Sequence, residues 1–178
     1  MTRRLETNRL ILEKLSLEHL SDAYVSWMND PEVYRFLETG GDYSKEELKS
    51  YLQEVENKPD LLFWAIIRKD NGQHIGNIKM DPVNNRHGIA EYGILMGDRQ
   101  SWGKGYAKEA SNAVIDYCFS ELDLRKVNLG VVAENKAAVG LYEQMGFVKE
   151  GHLKNHGVYD GKLCDCYRMA IFNPKYEN

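Results

Sequence analysis

The sequence predicts an α/β fold, and three observations support this. Segments with strand-like apolar patterns alternate along the chain with segments of helical periodicity. An Asn71-Gly72 dipeptide between two apolar runs predicts a β-hairpin, because both residues accept a positive φ. A length of 178 residues with a hydrophobic fraction of 43% fits one packed domain. We therefore expect a single domain over residues 1–178.

The first third of the chain is predicted to be mainly helical after one strand. Asn29-Asp30-Pro31 should break the first helix. Ser44 and Glu47 form a capping-box pattern, which predicts the start of a helix. The predicted elements are a strand over 9–15 and helices over 17–28, 32–38 and 45–56.

The rest of the chain is predicted to alternate between strands and helices. Gly146 follows a helical apolar stripe and is a suitable C-terminal cap. The predicted elements are strands over 62–68, 74–80 and 89–96, a helix over 106–121, a strand over 126–132, a helix over 137–145, and strands over 147–154 and 163–172.

Composition excludes several classes of partner. A net charge of −4 gives no general attraction to nucleic acid or to an anionic membrane. The sequence has neither a secretion core nor an apolar stretch long enough to span a membrane, so we expect a cytoplasmic protein. The cysteines and histidines lack metal-ligand spacing, so no metal is expected.

A basic glycine loop precedes the predicted helix over 106–121. Backbone N–H groups at such a helix start form an anion site, and Gly103 and Gly105 allow close backbone approach. Arg99, Lys104 and Lys108 would add positive charge. The loop matches neither a dinucleotide-binding fingerprint nor a phosphate-binding P-loop, so its pattern alone does not identify the anion.

A second motif, over residues 135–147, follows the strand over 126–132. Together, Gln100 to Gly105 and Asn135 to Phe147 resemble the GNAT superfamily of acetyltransferases, whose patterns are Q/R-x-x-G-x-G/A and N-x-x-A-x-x-L-Y-E-x-x-G-F. Further motifs resemble the branch with ribosomal-protein, spermidine and amino-sugar-nucleotide acetyltransferases. These are Arg9-Leu10-Ile11-Leu12, Trp27-Met28-Asn29-Asp30-Pro31 and the segment from Asp160 to Met169.

The resemblance implies a mixed, mostly antiparallel twisted sheet of about seven strands with helices on both faces. It also implies acetyl-CoA as cosubstrate, with its pantetheine arm in a gap between two splayed strands. Backbone groups of Ile94, Leu95, Met96 and Gly97 would hold the pantetheine and the acetyl carbonyl. The pyrophosphate would contact Gln100, Ser101, Trp102, Gly103, Lys104, Gly105, Tyr106 and Ala107, and Asn135 would meet the pantetheine arm.

Two residues are candidates for proton transfer. The resemblance implies that Tyr142 is the general acid, and a phenol is a reasonable proton donor for a thiolate. Glu91 is our candidate base, acting through water. Each residue also has a purely structural interpretation. Tyr142 belongs to an apolar helical stripe, Asn135 could be only a helix N-cap, and Glu91 could be a salt-bridge partner.

The acceptor is expected at the first helical break, where this branch builds its acceptor pocket. The candidates there are Trp27, Asn29, Asp30 and Tyr34, although Trp27 could instead pack in the core. Protein N-terminal acetyltransferases of the related group carry a catalytic glutamate where this chain has Gly130, which weakens a protein acceptor.

We therefore expect a small-molecule primary amine, with an amino-sugar nucleotide first and a polyamine second. Asp30, Glu32 and Glu38 could supply the negative charge that a polyamine needs. A non-catalytic acyl-CoA sensor is the alternative from another class. Dimers and larger rings both occur in this branch, so a homo-oligomer is compatible with the resemblance.

Overall fold

The computed structural model of the protein describes residues 2–176. Within these residues, eight strands form one sheet in the order β1-β2-β3-β4-β5-β6-β8-β7. The strands are β1 (Leu5–Glu6), β2 (Leu10–Lys14), β3 (Leu62–Arg68), β4 (His74–Asn84), β5 (Ile89–Met96), β6 (Lys126–Val132), β7 (Val148–Tyr159) and β8 (Lys162–Phe172).

The sheet is mixed and mostly antiparallel, as expected. Only β5 and β6 run parallel among the described strands, and every other neighbouring pair is antiparallel. The described strands number eight rather than about seven. The two-residue strand β1, which pairs with β2 through Leu5 and Leu12, has too few residues to show a period.

Helices cover both faces of the sheet, which confirms the expected layering. They are α1 (Asp22–Asn29), α2 (Pro31–Tyr34), α3 (Lys45–Glu56), α4 (Tyr106–Ser120) and α5 (Lys136–Gln144). On one face, α1 and α3 pack against Phe63 and Ala65. On the other face, α4 and α5 pack against Trp64 and Ile78. Among the described residues, no helix has both the length and the hydropathy to cross a bilayer.

Several element boundaries match the sequence prediction because local signals determine them. The bounds of β3, β5 and β6 are those predicted. The capping box at the start of α3 is also confirmed: Ser44 Oγ accepts from Glu47 N at 3.1 Å, and Glu47 Oε2 accepts from Ser44 N at 2.7 Å.

Two predicted helices differ in the structure. The helix expected over 17–28 is a short 3-10 turn (Leu17–His19) followed by α1, because Ser21 Oγ accepts from Tyr24 N and caps a new helix at 3.2 Å. The helix expected over 32–38 ends at Tyr34.

Two strands are longer than the sequence predicted. Strand β4 extends to Asn84 past a register shift, and β7 extends to Tyr159 past two such shifts.

The parallel pair β5 and β6 separates after three residue pairs. Pairing stops at Glu91 with Asn128. Beyond that point β5 stays paired with β4 up to Met96, and β6 stays paired with β8 up to Val132. The sheet therefore contains a gap between the second halves of these two strands, as the resemblance implied.

Candidate active site

The gap between β5 and β6 opens into a cleft of about 1080 Å³. One end is lined by the start of α4 and the loop before it, and α5 lies alongside. The other end is lined by residues 32, 33 and 35–38 and by the hairpin of β7 and β8. The cleft therefore extends from the loop before α4, past the gap between the strands, to the β7–β8 hairpin.

The loop before α4 has the geometry of an anion site. Gly103 and Gly105 have φ angles of 71° and 79°, a region that favours glycine. No side chain caps α4, so its first N–H groups are free to donate to a ligand. Lys108 lines the same part of the cleft and adds positive charge. These features fit a pyrophosphate.

Most of the residues predicted to hold acetyl-CoA line the cleft. Those that do are Ile94, Leu95, Met96, Ser101, Trp102, Gly103, Gly105, Tyr106, Ala107 and Asn135. The others lie just outside the lining. Gly97 contacts the ring of Trp27, Gln100 belongs to a 3-10 turn (Arg99–Ser101), and the Lys104 carbonyl accepts a hydrogen bond from Arg9.

Trp102 and Asn135 each make a structural hydrogen bond at the edge of the cleft. The Trp102 indole is 41% exposed, and its Nε1 donates to Met96 O at 2.8 Å. Asn135 Oδ1 accepts from Ala138 N at 3.2 Å and so caps α5. The amide nitrogen of Asn135 takes no part in the cap, so capping and ligand contact are geometrically compatible.

Tyr142 lies in an aromatic cluster beside the gap. Its ring centroid is 5.7 Å from that of Tyr92 and 5.6 Å from that of Phe147. The side chain lines the cleft but is only 7% exposed. Burial raises the pKa of Tyr142 to about 12. The phenol is therefore protonated at neutral pH and able to donate a proton.

Glu91 lies where β5 and β6 begin to separate, and it is bound by two neighbouring strands. Arg168 Nη1 donates to Glu91 Oε1 at 2.7 Å, and Arg168 Nη2 donates to Oε2 at 2.6 Å. Asn128, directly opposite on β6, also donates to Oε2. The structure therefore contains the salt bridge that the structural interpretation of Glu91 implied, and both carboxylate oxygens accept from Arg168.

Arg168 reaches Glu91 because Gly130 leaves space for it. The two residues are paired across β6 and β8, and a Cβ atom on Gly130 would lie 3.1 Å from Arg168 Nη1. The hydrogen bonds to Glu91 raise the pKa of Arg168, so the guanidinium stays charged. Sequence reasoning did not identify this pair. Strand alternation over Cys164, Cys166 and Arg168, which all lie on one face, was the available signal.

The four predicted acceptor residues lie outside the cleft lining. Trp27 is 7% exposed and packs in the core between α1 and the sheet. Tyr34 packs against the Gly40-Gly41 turn. Asn29 holds the backbone of Tyr43 through two hydrogen bonds of 2.8 and 2.6 Å. Asp30 caps α2 and forms an ion pair with Arg99 at 3.4 Å.

Part of α2 and the segment that follows it line the cleft instead. Residues 32, 33 and 35–38 all contribute to the lining. Glu38 Oε1 accepts from Tyr159 Oη at 2.7 Å, and Arg35 pairs with Asp160 at 3.2 Å. The segment is thus held against the tip of the β7–β8 hairpin. Glu32 and Glu38, suggested from sequence for a polyamine, are part of this wall.

Comparisons with known proteins identify the family. The model of the acetyltransferase (GNAT) domain matches residues 9–148. N-acetyltransferase p20 of Bacillus licheniformis is 30% identical over 175 residues, which cover 97% of each chain. Spermidine N(1)-acetyltransferase of Vibrio cholerae is 40% identical over 104 residues, or 58% of this chain and 60% of that protein. The chain therefore belongs to the GNAT acetyltransferase family.

A solved structure adds support for the fold and the donor. The crystal structure of spermidine N-acetyltransferase from Vibrio cholerae, in complex with CoA and spermine, superposes with a TM-score of 0.86. It is 29% identical to this chain, and the alignment covers 97% of this chain and all of that one. The protein is thus an N-acetyltransferase, and acetyl-CoA is its acetyl donor.

Proposed function

We propose that this enzyme acetylates a primary amine of a small, polycationic acceptor of the polyamine class. The observation that carries this proposal is the charge balance at the acceptor end of the cleft. Glu32 and Glu38 line that end. Both arginines that line it are already paired with carboxylates, Arg35 with Asp160 and Arg168 with Glu91. The wall thus offers negative charge to a cation.

The same charge balance weighs against the amino-sugar nucleotide that the sequence favoured. A nucleotide diphosphate needs several cationic donors, most often arginines with free guanidinium edges. Arg168 has both Nη groups on Glu91, and Arg35 has the Asp160 carboxylate beside its Nε, so each would bring a negative charge close to the bound phosphates. A polyamine needs only carboxylates and apolar walls for its methylene groups, and Phe36 and Leu153 supply such walls.

The relatives support the polyamine class independently. Two curated spermidine N(1)-acetyltransferases, from Vibrio cholerae and Escherichia coli, are 40% and 33% identical to this chain over 104 and 106 residues. The structural relative with 29% identity contains spermine. We extend this acceptor class to the present chain as part of the proposal.

We place the donor along the unpaired part of β5. The pantetheine arm would use backbone groups of residues 94–96, which have no partner on β6. The pyrophosphate would lie at the loop of Gly103 and Gly105, against the free N–H groups of α4. Asn135 would contact the pantetheine arm through its amide nitrogen. This placement directs the thioester toward Tyr142 and the acceptor end.

The reaction is a direct transfer between the two substrates. The neutral amine attacks the thioester carbonyl, so that a C–N bond forms and the C–S bond breaks. Tyr142 is the acid that protonates the departing sulfur. The proton lost by the amine passes through water to Glu91. Glu91 then releases this proton to solvent and solvent restores the proton of Tyr142, so the balance closes with one N-acetyl product and one thiol.

The burial of Tyr142 suits this role. Burial raises the pKa of the Tyr142 phenol to about 12 because the phenolate is poorly solvated beside Tyr92 and Phe147. A thiolate released in the same place is poorly solvated for the same reason. Proton transfer to sulfur as the C–S bond breaks avoids a free thiolate, and solvent then reprotonates the Tyr142 phenolate.

Free-thiol release from acetyl-CoA tests the proposal. We expect release with spermidine or spermine, and none above background with an amino-sugar nucleotide or an N-terminal peptide. Glu38→Gln should raise the KM for the polyamine about tenfold, because it removes a charged hydrogen-bond acceptor from the wall, and leave the KM for acetyl-CoA unchanged. Glu18→Gln, an exposed carboxylate outside the lining, is the control.

The outcomes separate the acceptor classes. Release only with the nucleotide would overturn the polyamine proposal. If none of the tested acceptors stimulates thiol release and acetyl-CoA still binds tightly, the result would favour the non-catalytic sensor.

A further inference from the structure

We propose that Arg9 is a positioning residue that sets the donor loop, defined here as residues 102–105, for pyrophosphate binding. The inference rests on the proposed placement of the donor. Arg9 begins the Arg9-Leu10-Ile11-Leu12 motif, and no step of the proposed reaction uses this motif. Its side chain is 41% exposed and lies outside the cleft lining. Its effect on the donor would therefore pass through the residues that it binds.

Arg9 binds both sides of the junction between the donor loop and α4. Its Nη1 donates to Lys104 O at 2.9 Å, in the loop. Its Nε donates to Glu109 Oε2 at 2.6 Å, in the first turn of α4, and its backbone N donates to Glu109 Oε1 at 2.8 Å. Thr7 Oγ1 adds a bond to Glu109 Oε1 at 2.6 Å. Arg9 thus holds together the donor loop and the first turn of α4, which both lie about a hundred residues further along the chain.

The loop needs such a restraint because of its glycines. Lys104 lies between Gly103 and Gly105, and glycine has the largest conformational freedom to lose on ordering. The hydrogen bond from Arg9 to Lys104 O fixes the peptide group that joins Lys104 to Gly105. It also draws the Lys104 carbonyl oxygen, which would repel a phosphate, toward a residue outside the cleft. The free N–H groups then form the surface that meets the anion.

Two further contacts extend this role. The Arg9 guanidinium lies 4.4 Å from the ring centroid of Tyr106, the first residue of α4. This contact orients the helix start. Arg9 also pairs with the carboxylate of Glu109, whose pKa its hydrogen bonds help to lower. Without Arg9, an unpaired negative charge would remain within one turn of the proposed pyrophosphate.

Calorimetric titration with CoA and with pantetheine, the latter in competition with CoA, tests the inference. Pantetheine lacks the pyrophosphate. We expect Arg9→Ala to raise the Kd for CoA tenfold or more and to change the Kd for pantetheine less than twofold. Arg9→Lys should also weaken CoA binding, because an ammonium lacks the planar fork whose Nη1 reaches Lys104 O while its Nε reaches Glu109. Arg4→Ala, which removes an exposed arginine paired with Glu6, is the matched control.

The Kd values for CoA and pantetheine separate the possible roles of Arg9. An unchanged Kd for CoA in Arg9→Ala, or equal weakening of CoA and pantetheine, overturns the positioning role. Full binding by Arg9→Lys also overturns it, because charge alone would then suffice. Should Arg9→Ala not fold, as judged by thermal unfolding, Arg9→Lys decides alone. If the wild type binds pantetheine as tightly as CoA, the proposed donor placement fails instead.

Discussion

The buried imidazole of His74 should make the fold sensitive to acid. The ring lies 4.9 Å from Trp27, 5.6 Å from Tyr24 and 5.3 Å from His19, measured between centroids. Its Nε2 is 2.8 Å from Asn77 Oδ1 and 3.0 Å from Gly76 O, so the proton of the neutral ring belongs on Nε2. Nδ1 has no hydrogen-bond partner within residues 2–176.

Burial is the main reason why the pKa of His74 lies below its usual value. The pKa of His74 is lowered to about 4, mainly by burial and to a smaller extent by the neighbouring His19. The hydrogen bonds to Asn77 and Gly76 and the charge of Glu13 act in the opposite direction but do not offset burial. The folded protein therefore keeps His74 neutral through the pH range in which the unfolded chain binds a proton.

The magnitude follows from linkage. The unfolded chain protonates this histidine near pH 6.5, and the folded protein does so only near pH 4. The contribution to stability is complete above the unfolded pKa and is lost as the pH falls toward the folded pKa. Between about pH 7.5 and about pH 5, the free energy of unfolding should fall by about 2 kcal/mol on account of His74.

Chemical denaturation of the wild type and of His74→Gln at the two pH values measures this contribution. The variant should lose about 2 kcal/mol less than the wild type on acidification. Any constant cost of the substitution cancels in this difference. His87→Gln, at an exposed histidine, should behave as the wild type. Equal losses in the wild type and His74→Gln would refute the reasoning.

Two predictions concern the proposed proton transfers. Tyr142→Phe should lower kcat by about 100-fold and leave the Kd for CoA within twofold, since general acid catalysis is worth about this much; turnover at the wild-type rate would remove Tyr142 as the acid. Glu91→Gln should lower kcat about tenfold near neutral pH. That deficit should shrink at alkaline pH, where more of the acceptor is already neutral, and a deficit independent of pH would assign Glu91 a structural role only.

Local signals explain how much of the fold could be predicted. The Asn71-Gly72 turn and the Ser44 capping box are complete within a few residues, and the elements that they bound were placed correctly. The break at Ser21 was missed because the helical pattern continues across it. The extension of β7 was missed because its exposed, irregular half is stabilised by pairing with β8 rather than by its own pattern.

The candidate site shows a similar division. The sequence placed the glycine loop and Tyr142 beside one cleft because each belongs to a contiguous motif. It also directed attention to the chain around α2, but the four residues that it selected there lie outside the cleft lining, since a short helix with a break has no clear period. The pairs of Arg168 with Glu91 and of Arg9 with Glu109 join distant strands and helices, and only the tertiary fold brings them together.

The parallel pairing of β5 and β6, which ends after three residue pairs, has a consequence for how such an enzyme changes over evolutionary time. In the proposed placement, the donor is bound by the backbone of residues 94–96, which offers atoms that every amino acid possesses, so substitutions there would leave donor choice intact. In the proposed complex, acceptor choice depends on side chains such as Glu38, and a single codon change would alter it. The architecture thus allows new acceptors to be tried while the acetyl donor stays the same.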